Sequence, residues 1–152
     1  TDKLAQRVQD TILDALNTGS DAVLCTCSTI GAAAEATQAF TDKPVQRVDR
    51  AMAEKAIGLG TRILVAAALT STLEPTRELL LDAAQKAGKE IELIEVFCAT
   101  AWPKFAAGDR DAYFADIAAE LHKVAAQGDV IVLAQASMAG AAALCADLPI
   151  PV

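Results

Sequence analysis

The sequence lacks the features of several large classes of protein. No apolar run approaches the roughly 18 residues that a membrane-spanning helix requires. The first ten residues, TDKLAQRVQD, are polar with a helical pattern, so they do not form a signal peptide. Lysine and arginine total 13 against 20 acidic residues and form no basic stripe. We therefore expect neither a nucleic acid nor a membrane as a partner.

Side chains that bind metals are also scarce. His122, expected on a helix surface, is the only histidine, and among the four cysteines only Cys25 and Cys27 lie close together. Because structural zinc needs four ligands, we expect no metal site. There is no Cys-x-x-Cys redox motif, and without a secretion signal we expect reduced thiols and a cytoplasmic protein. Cys25, Cys98 and Cys145 are assigned to the core.

The composition is that of a compact globular protein, and the alternation of predicted strands and helices indicates the α/β class. Hydrophobic residues make up 53% of the 152 residues and charged residues 22%, which suits one domain or two small lobes. Short apolar runs predict the strands DAVLCTC, VQRVD, RILVAAAL, IELIEVF and DVIVLAQ. Helical patterns cover residues 2–18, 28–40, 50–60, 70–88, 113–128 and 137–148. Such alternation is typical of parallel sheets covered by helices, with ligands at the carboxyl ends of the strands.

The stretch LCTCSTIG, residues 24–31, is the strongest candidate for a functional site. Cys27 is the last residue before a polar cluster and a predicted helix. The positive end of a helix dipole at such a position favours a thiolate. Either Ser28 or Thr29 could cap the helix, and the free N–H groups around them can bind a carboxylate. Core packing is the alternative for Cys27.

Both ends of the sequence look like cuts in a longer protein. The chain begins at Thr1 without a methionine, and it ends on LPIPV, which has the pattern of a strand. We therefore expect the chain to be part of a longer protein.

Several motifs follow one another in a characteristic order. They are VLCTCSTIG, VQRVDRAMAEKAI, RILVAAALTSTLEPT, DVIVLAQASMA and LPIPV, and together they span nearly the whole sequence. In order and spacing they resemble the aspartate/glutamate/hydantoin racemase superfamily, which includes maleate isomerases and arylmalonate decarboxylases. Cys27-Ser28-Thr29 matches the motif of its first catalytic cysteine. The resemblance implies a cofactor-independent isomerase that uses the Cys27 thiol at a carbon next to a carboxylate.

The resemblance also implies an architecture of two pseudo-symmetric three-layer αβα lobes with parallel sheets and a site between them. Residues 1–49 correspond to part of the first lobe, 50–60 to a connecting helix and 61–152 to the second lobe. Members of the family begin with a strand and a helix not found here and continue past PIPV into a last helix. We therefore expect the first lobe to be incomplete. A homodimer or a higher homo-oligomer is compatible with such lobes.

The second lobe departs from the family pattern at one position. Two-base racemases carry a second cysteine there, in a stretch similar to Gly-Cys-Thr-His, whereas this chain has Ala134-Gln135-Ala136-Ser137. A glutamine amide can form hydrogen bonds but can neither remove nor deliver a proton near neutral pH. Two-base racemisation is therefore in doubt. One thiol could instead serve a decarboxylase or a maleate-type cis-trans isomerase, and a third hypothesis is an inactive carboxylate-binding protein.

Polar residues near predicted strand ends are candidate contacts for a small carboxylate or amino-acid substrate. By their place in the resemblance these are Ser28, Thr29, Ser71, Thr72, Gln135 and Ser137. Ser71 or Thr72 could equally cap the helix that begins in TSTLEP, because capping and anion binding use the same N–H groups. Gln135 could equally pair with a loop. Cations that could attract an acidic substrate are Arg47, Arg50, Arg62 and Lys104.

Overall fold

The computed structural model describes residues 2–152, and every strand pair in this range is parallel. The strands are β1 (Val23–Cys25), β2 (Val45–Arg47), β3 (Arg62–Ala67), β4 (Glu92–Phe97) and β5 (Val130–Leu133). The α-helices are α1 (Asp2–Asn17), α2 (Ser28–Ala36), α3 (Arg50–Leu59), α4 (Leu73–Lys86), α5 (Ala101–Ala106) and α6 (Arg110–Val124). Segments of 3-10 helix are Thr37–Phe40, Thr70–Thr72, Ala125–Gln127 and Ala136–Cys145. The predicted α/β class with parallel sheets is confirmed.

The chain divides into two compact units, of which the first ends at Ala51 and the second is Met52–Val152. This division falls in the first turn of α3. The domain limits proposed from sequence, 1–49 and 61–152 joined by 50–60, stay a prediction. Among the described residues, no helix combines the length and the apolar character needed to cross a membrane.

The first unit contains a two-stranded sheet. In it β1 pairs with β2 so that Val23 lies opposite Val45 and Cys25 opposite Arg47. Because alternate residues of a strand point to opposite faces, Val23, Cys25 and Val45 share one face. They pack there with side chains of α1 and α2, namely Val8, Ile12, Leu16 and Ala34. Leu24 points to the other face and is 58% exposed, so the helices of this unit cover one face of its sheet.

The second unit contains a three-stranded sheet in the order β4-β3-β5. The central strand β3 is a continuous apolar run after Arg62, as expected for a strand buried on both faces. Leu64 and Ala66 enter one core, with Ile117 and Leu121 of α6. Ile63 and Val65 enter a second core, with Leu79 and Leu80 of α4. Helices on both faces give this unit the three-layer αβα arrangement.

Two helical segments differ from the sequence-based prediction. The sequence predicts an α-helix over 137–148, but Ala136–Cys145 winds as 3-10 turns. This winding brings Gly140 against the ring of Phe114, an approach that a Cβ atom at Gly140 would block. The helix α5 was not among the helices predicted from the sequence. Pro103 lies in the first turn of α5, where a helix does not need its N–H.

Candidate functional site

Cys27 lies between β1 and α2, at the capping position of the helix. Its backbone is extended, with φ −113° and ψ 117°, and its side chain forms no capping hydrogen bond. The thiol is exposed, whereas Cys98 and Cys145 are buried as predicted. The prediction that Ser28 or Thr29 caps this helix is wrong, because β1 already ends at Cys25 and both residues belong to the first helical turn.

Ser28 and Thr29 extend the polar character of this helix start. Ser28 is half-buried and Thr29 is exposed. Neither hydroxyl has a hydrogen-bond partner among residues 2–152. The N–H groups of a first helical turn also lack partners within the helix. One thiol, two hydroxyls and free backbone donors therefore come together where α2 begins.

A cavity of about 380 Å³ opens beside Cys27 within the first unit. Its apolar lining comes from Leu4, Val8, Ile12, Val23, Ile30 and Ala34 together with Cys25. Its polar lining comes from Arg7, Thr11, Thr26 and Cys27. Sequence reasoning missed Arg7 and Thr26. The available signal was the apolar repeat of α1, in which Arg7 directly precedes Val8 and borders the face directed towards β1.

Arg47 is a buried cation at the end of β2. Its side chain is 3% exposed, and it donates to both oxygens of Asp49, with Nε–Oδ1 2.6 Å and Nη2–Oδ2 3.0 Å. Glu35 of α2 lies 3.9 Å from Arg47 and accepts two hydrogen bonds from Arg50, at 2.7 and 2.6 Å. A buried guanidinium without a partner would be strongly destabilising. Both arginines are thus engaged by carboxylates of their own unit.

The two other predicted cations also form ion pairs. Arg62 Nη2 lies 3.0 Å from Asp129 Oδ1, and Lys104 Nζ lies 2.8 Å from Asp116 Oδ1. Arg62 stands at the start of β3, opposite to the carboxyl ends of the strands. Hydrogen bonds from the backbone and side chain of Arg62 lower the pKa of Asp129 to about 2, helped by the backbone of Thr61. Both cations are therefore engaged by carboxylates of the second unit.

Ser71 and Thr72 lie between β3 and α4, where the sequence placed a helix cap. Thr72 occupies the capping position but forms no side-chain capping bond. Its Oγ1 instead donates to the carbonyl of Leu69 at 2.8 Å. Ser71 is exposed, without a side-chain partner among the described residues. The hydroxyl of Ser71 is thus open to a ligand, whereas the N–H of Leu73, the first residue of α4, donates to the carbonyl of Thr70.

Gln135 lies just after β5, at the same edge of the sheet. Its Oε1 accepts hydrogen bonds from the backbone N–H groups of Ala68 and Leu69, at 2.7 and 3.1 Å. Both donors directly follow β3, so Gln135 pairs with a loop. This pairing is one of the two alternatives considered for Gln135 from the sequence. The second unit thus brings Ser71, Thr72 and Gln135 to the carboxyl ends of its strands.

Ser137 is held by the core of the second unit. Its Oγ lies 3.0 Å from the hydroxyl of Tyr113, a fully buried residue of α6. Burial raises the pKa of Tyr113, and it raises the pKa of Cys98 in the same core to about 11, with further contributions from Glu120 and Asp116. Cys98 is therefore a protonated, packing thiol.

A family model described as Asp/Glu/Hydantoin racemase matches residues 1–152. The chain belongs to this family. The match confirms the resemblance expected from the motif around Cys27 and the motifs that follow it. No curated protein sequence matches significantly.

Solved glutamate racemases have a fold similar to that of this racemase-family chain. Glutamate racemase isoform RacE1 from Bacillus anthracis is 14% identical with a TM-score of 0.62, over 97% of this chain and 60% of that one. Glutamate racemase from Campylobacter jejuni subsp. jejuni is 19% identical with a TM-score of 0.60, over 95% of this chain and 60% of that one. The chain thus spans about 60% of the length of these racemases.

Proposed function

We propose that this chain carries the thiol of a cofactor-independent racemase or isomerase that acts at a carbon next to a carboxylate. The observation that carries the proposal is the placement of Cys27. Its exposed thiol stands at the start of α2 and borders a cavity of about 380 Å³, in a chain of the Asp/Glu/hydantoin racemase family. The substrate is a small acid or amino acid, and glutamate is a candidate because two structural neighbours are glutamate racemases.

The chemistry follows from what a thiolate and free N–H donors can do together. A thiolate at Cys27 removes the proton from the carbon next to a carboxylate, and negative charge then develops on the carboxylate oxygens. Donors already directed at those oxygens stabilise that charge, each by about 3 kcal/mol in known enzymes. Ser28 and Thr29 supply such donors in the first unit. In the second unit we assign substrate contacts to Ser71, Thr72 and Gln135.

Ser137 is a weaker candidate for substrate contact than the sequence indicated. Its hydroxyl already pairs with Tyr113 at 3.0 Å, although a hydroxyl has a further lone pair to offer. We keep Ser137 as a secondary substrate contact.

A one-thiol reaction is a second candidate, favoured by the surroundings of Gln135. Its Oε1 is engaged by two backbone donors, and an amide does not transfer protons near neutral pH. A single thiolate suffices for a decarboxylase, or for a maleate-type isomerase that adds the thiolate to a double bond and later eliminates it. An inactive carboxylate-binding protein is the remaining alternative.

Proton NMR in D₂O tests the proposal. The purified protein is incubated with L-aspartate, L-glutamate, a hydantoin, maleate and an arylmalonate, beside the variants Cys27→Ser and Cys145→Ser. Cys145 is the matched control, because its thiol is buried in the core of the second unit and does not line the cavity beside Cys27. We expect deuterium at the carbon next to a carboxylate, or conversion of one panel member, with the wild type and Cys145→Ser but not with Cys27→Ser.

The pattern of products separates the alternatives. Deuteration with loss of optical activity indicates a racemase, and deuteration without that loss indicates proton exchange on one face. Formation of fumarate from maleate indicates an isomerase, and release of CO₂ from the arylmalonate a decarboxylase. Binding of a panel member without any reaction would establish a carboxylate-binding protein and refute the enzyme.

A further inference from the structure

The side-chain carbonyl oxygen of Gln135 binds the backbone segment that follows the neighbouring strand β3. The ladder between β3 and β5 ends where the N–H of Ala134 donates to the carbonyl of Ala66. The next N–H groups of the β3 chain, at Ala68 and Leu69, lie beyond this ladder. Both donate to Gln135 Oε1, at 2.7 and 3.1 Å. Ala68 is 2% exposed, so its N–H would otherwise be buried without a partner, at a cost in stability.

These two contacts determine the orientation of the amide. Backbone N–H groups are donors only, so the atom facing them must be the carbonyl oxygen and not the NH₂ group. Two hydrogen bonds occupy both lone pairs of that oxygen. The Nε2 group therefore points elsewhere, and within residues 2–152 no protein acceptor binds it. Among the described residues, the one buried side-chain polar atom without a partner is Thr76 Oγ1, so the Nε2 group of the half-buried Gln135 remains accessible.

The turn bound by Gln135, residues 68–72, also contains Ser71 and Thr72, the other candidate contacts of the second unit. Leu69 accepts hydrogen bonds from the N–H and from the hydroxyl of Thr72, at 3.2 and 2.8 Å. A continuous series of hydrogen bonds thus runs from Gln135 through Leu69 to the residue that precedes α4. A cysteine at position 135 could not form this series, because a thiol sulfur is a weak acceptor.

We propose that Gln135 is a positioning residue that fixes the turn 68–72 through Oε1 and donates to a substrate carboxylate through its free Nε2 group. The carboxylate half of this inference rests on the proposed function, whereas the positioning half does not. In this proposal Gln135 orients the turn and binds the substrate, and it transfers no proton.

Two variants of Gln135 separate its positioning role from its role as a donor to the carboxylate. Gln135→Glu keeps an oxygen acceptor for Ala68 and Leu69 but replaces the NH₂ donor by a negatively charged oxygen. Gln135→Leu removes both functions in a side chain of similar size. Gln85→Leu, on the exposed surface of α4, is the matched control. Amide hydrogen exchange measured by ¹⁵N NMR reports on the turn, and titration with glutarate, an unreactive dicarboxylate, reports on binding without requiring turnover.

We expect Gln135→Glu to keep the slow exchange of the Ala68 and Leu69 amides while weakening glutarate binding about tenfold or more, as for a lost hydrogen bond to a charged group. Gln135→Leu should accelerate exchange at both amides and also weaken binding. Gln85→Leu should change neither.

Unchanged amide exchange in Gln135→Leu overturns the positioning role. Wild-type affinity for glutarate in Gln135→Glu, or no glutarate binding by the wild type, overturns the donor role. A protein that binds glutarate but deuterates no substrate contradicts the proposed enzyme and leaves the role of Gln135 supported.

Discussion

At the residue scale, the four cysteines show how strongly the surroundings determine thiol chemistry. Cys27 is exposed, and Cys25 is half-buried with its Sγ 3.5 Å from the carbonyl of Cys27. Cys98 is 1% exposed, and burial raises its pKa to about 11. Burial also raises the pKa of Cys145. Because only the thiolate is a strong nucleophile, burial and the raised pKa values both disfavour reaction at Cys98 and Cys145, whereas the Cys27 side chain is accessible.

Alkylation should therefore distinguish these thiols. With iodoacetamide at about pH 8, we expect Cys27 to be modified first and Cys98 and Cys145 only after unfolding in urea. Peptide mass spectrometry at a series of reaction times measures the order. Equal rates at Cys27 and Cys98 in the folded protein would contradict the burial of Cys98.

Single residues also show where sequence reasoning was limited. The location of Cys27 at a helix start could be predicted, because an apolar run followed by a polar helix start is visible in the sequence alone. The partner of Gln135 could not be predicted, because Ala68 is 67 residues away along the chain. For Arg7 the apolar repeat of α1 was an available signal, but only packing of α1 against β1 brings Arg7 to the cavity near Cys27.

At the element scale, the first turn of α2 packs closely against a buried arginine. A Cβ atom at Gly31 would lie 2.6 Å from Cζ and 2.7 Å from Nε of Arg47. The guanidinium cannot move away easily, because both oxygens of Asp49 hold it. Glycine at position 31 therefore allows α2 to approach the Arg47 side chain closely.

Alanine substitutions at two helical glycines test this contact. Gly31→Ala should lower the free energy of unfolding by about 1–2 kcal/mol, because the overlap with Arg47 outweighs the gain in helix propensity. Gly58→Ala in α3, where nothing lies within 4 Å, should raise it by about 0.5–1 kcal/mol. Urea denaturation measures both. A stabilised Gly31→Ala would show that Arg47 moves freely.

His122, near the end of α6, forms a titratable pair with Asp147, which lies in the turn before the final residues. His122 Nε2 lies 3.1 Å from Asp147 Oδ1, and His122 Nδ1 lies 2.7 Å from the carbonyl of Ala118. The hydrogen bond to Ala118 and the one to Asp147 raise the pKa of His122 above its ordinary value of 6.5. The hydrogen bond from His122 lowers the pKa of Asp147 below its ordinary 3.8.

These shifts predict the pH dependence of stability. The contribution of His122 is fully present below pH 6.5 and is lost as the pH rises through the raised folded-state pKa. The contribution of Asp147 is present above pH 3.8 and is lost as the pH falls through its lowered pKa. Between about pH 5.5 and 8.5 the urea midpoint should fall more for the wild type than for His122→Gln. Identical falls would mean that the pair does not contribute to stability.

At the scale of the whole molecule, the two units differ in how they bury their strands. Residues 63–67 of β3 are at most 1% exposed and lie between two other strands. The strand β1 has three residues, pairs within residues 2–152 with β2 alone, and exposes Leu24. A two-stranded sheet has little stability of its own.

Native-state hydrogen exchange should reveal this difference. We expect the amides of β3, such as that of Val65, to be among the slowest to exchange, and that of Leu24 to exchange through local opening orders of magnitude faster. Mass spectrometry of peptides from each unit, followed over hours, measures both. Equal protection of β1 and β3 would indicate that the chain opens as one cooperative body.

The alternation of apolar strands with helices, and therefore the α/β class with parallel sheets, was determined by the sequence itself. The reason is that strand and helix periodicities are local properties, read within a dozen residues. The order of motifs around Cys27 likewise determined the family. Only the tertiary structure decided which side chains meet: Arg47 with Asp49 and Gly31, and Gln135 with the turn after β3. Those contacts join segments with unrelated local patterns, and packing and hydrogen-bond satisfaction across the fold select them.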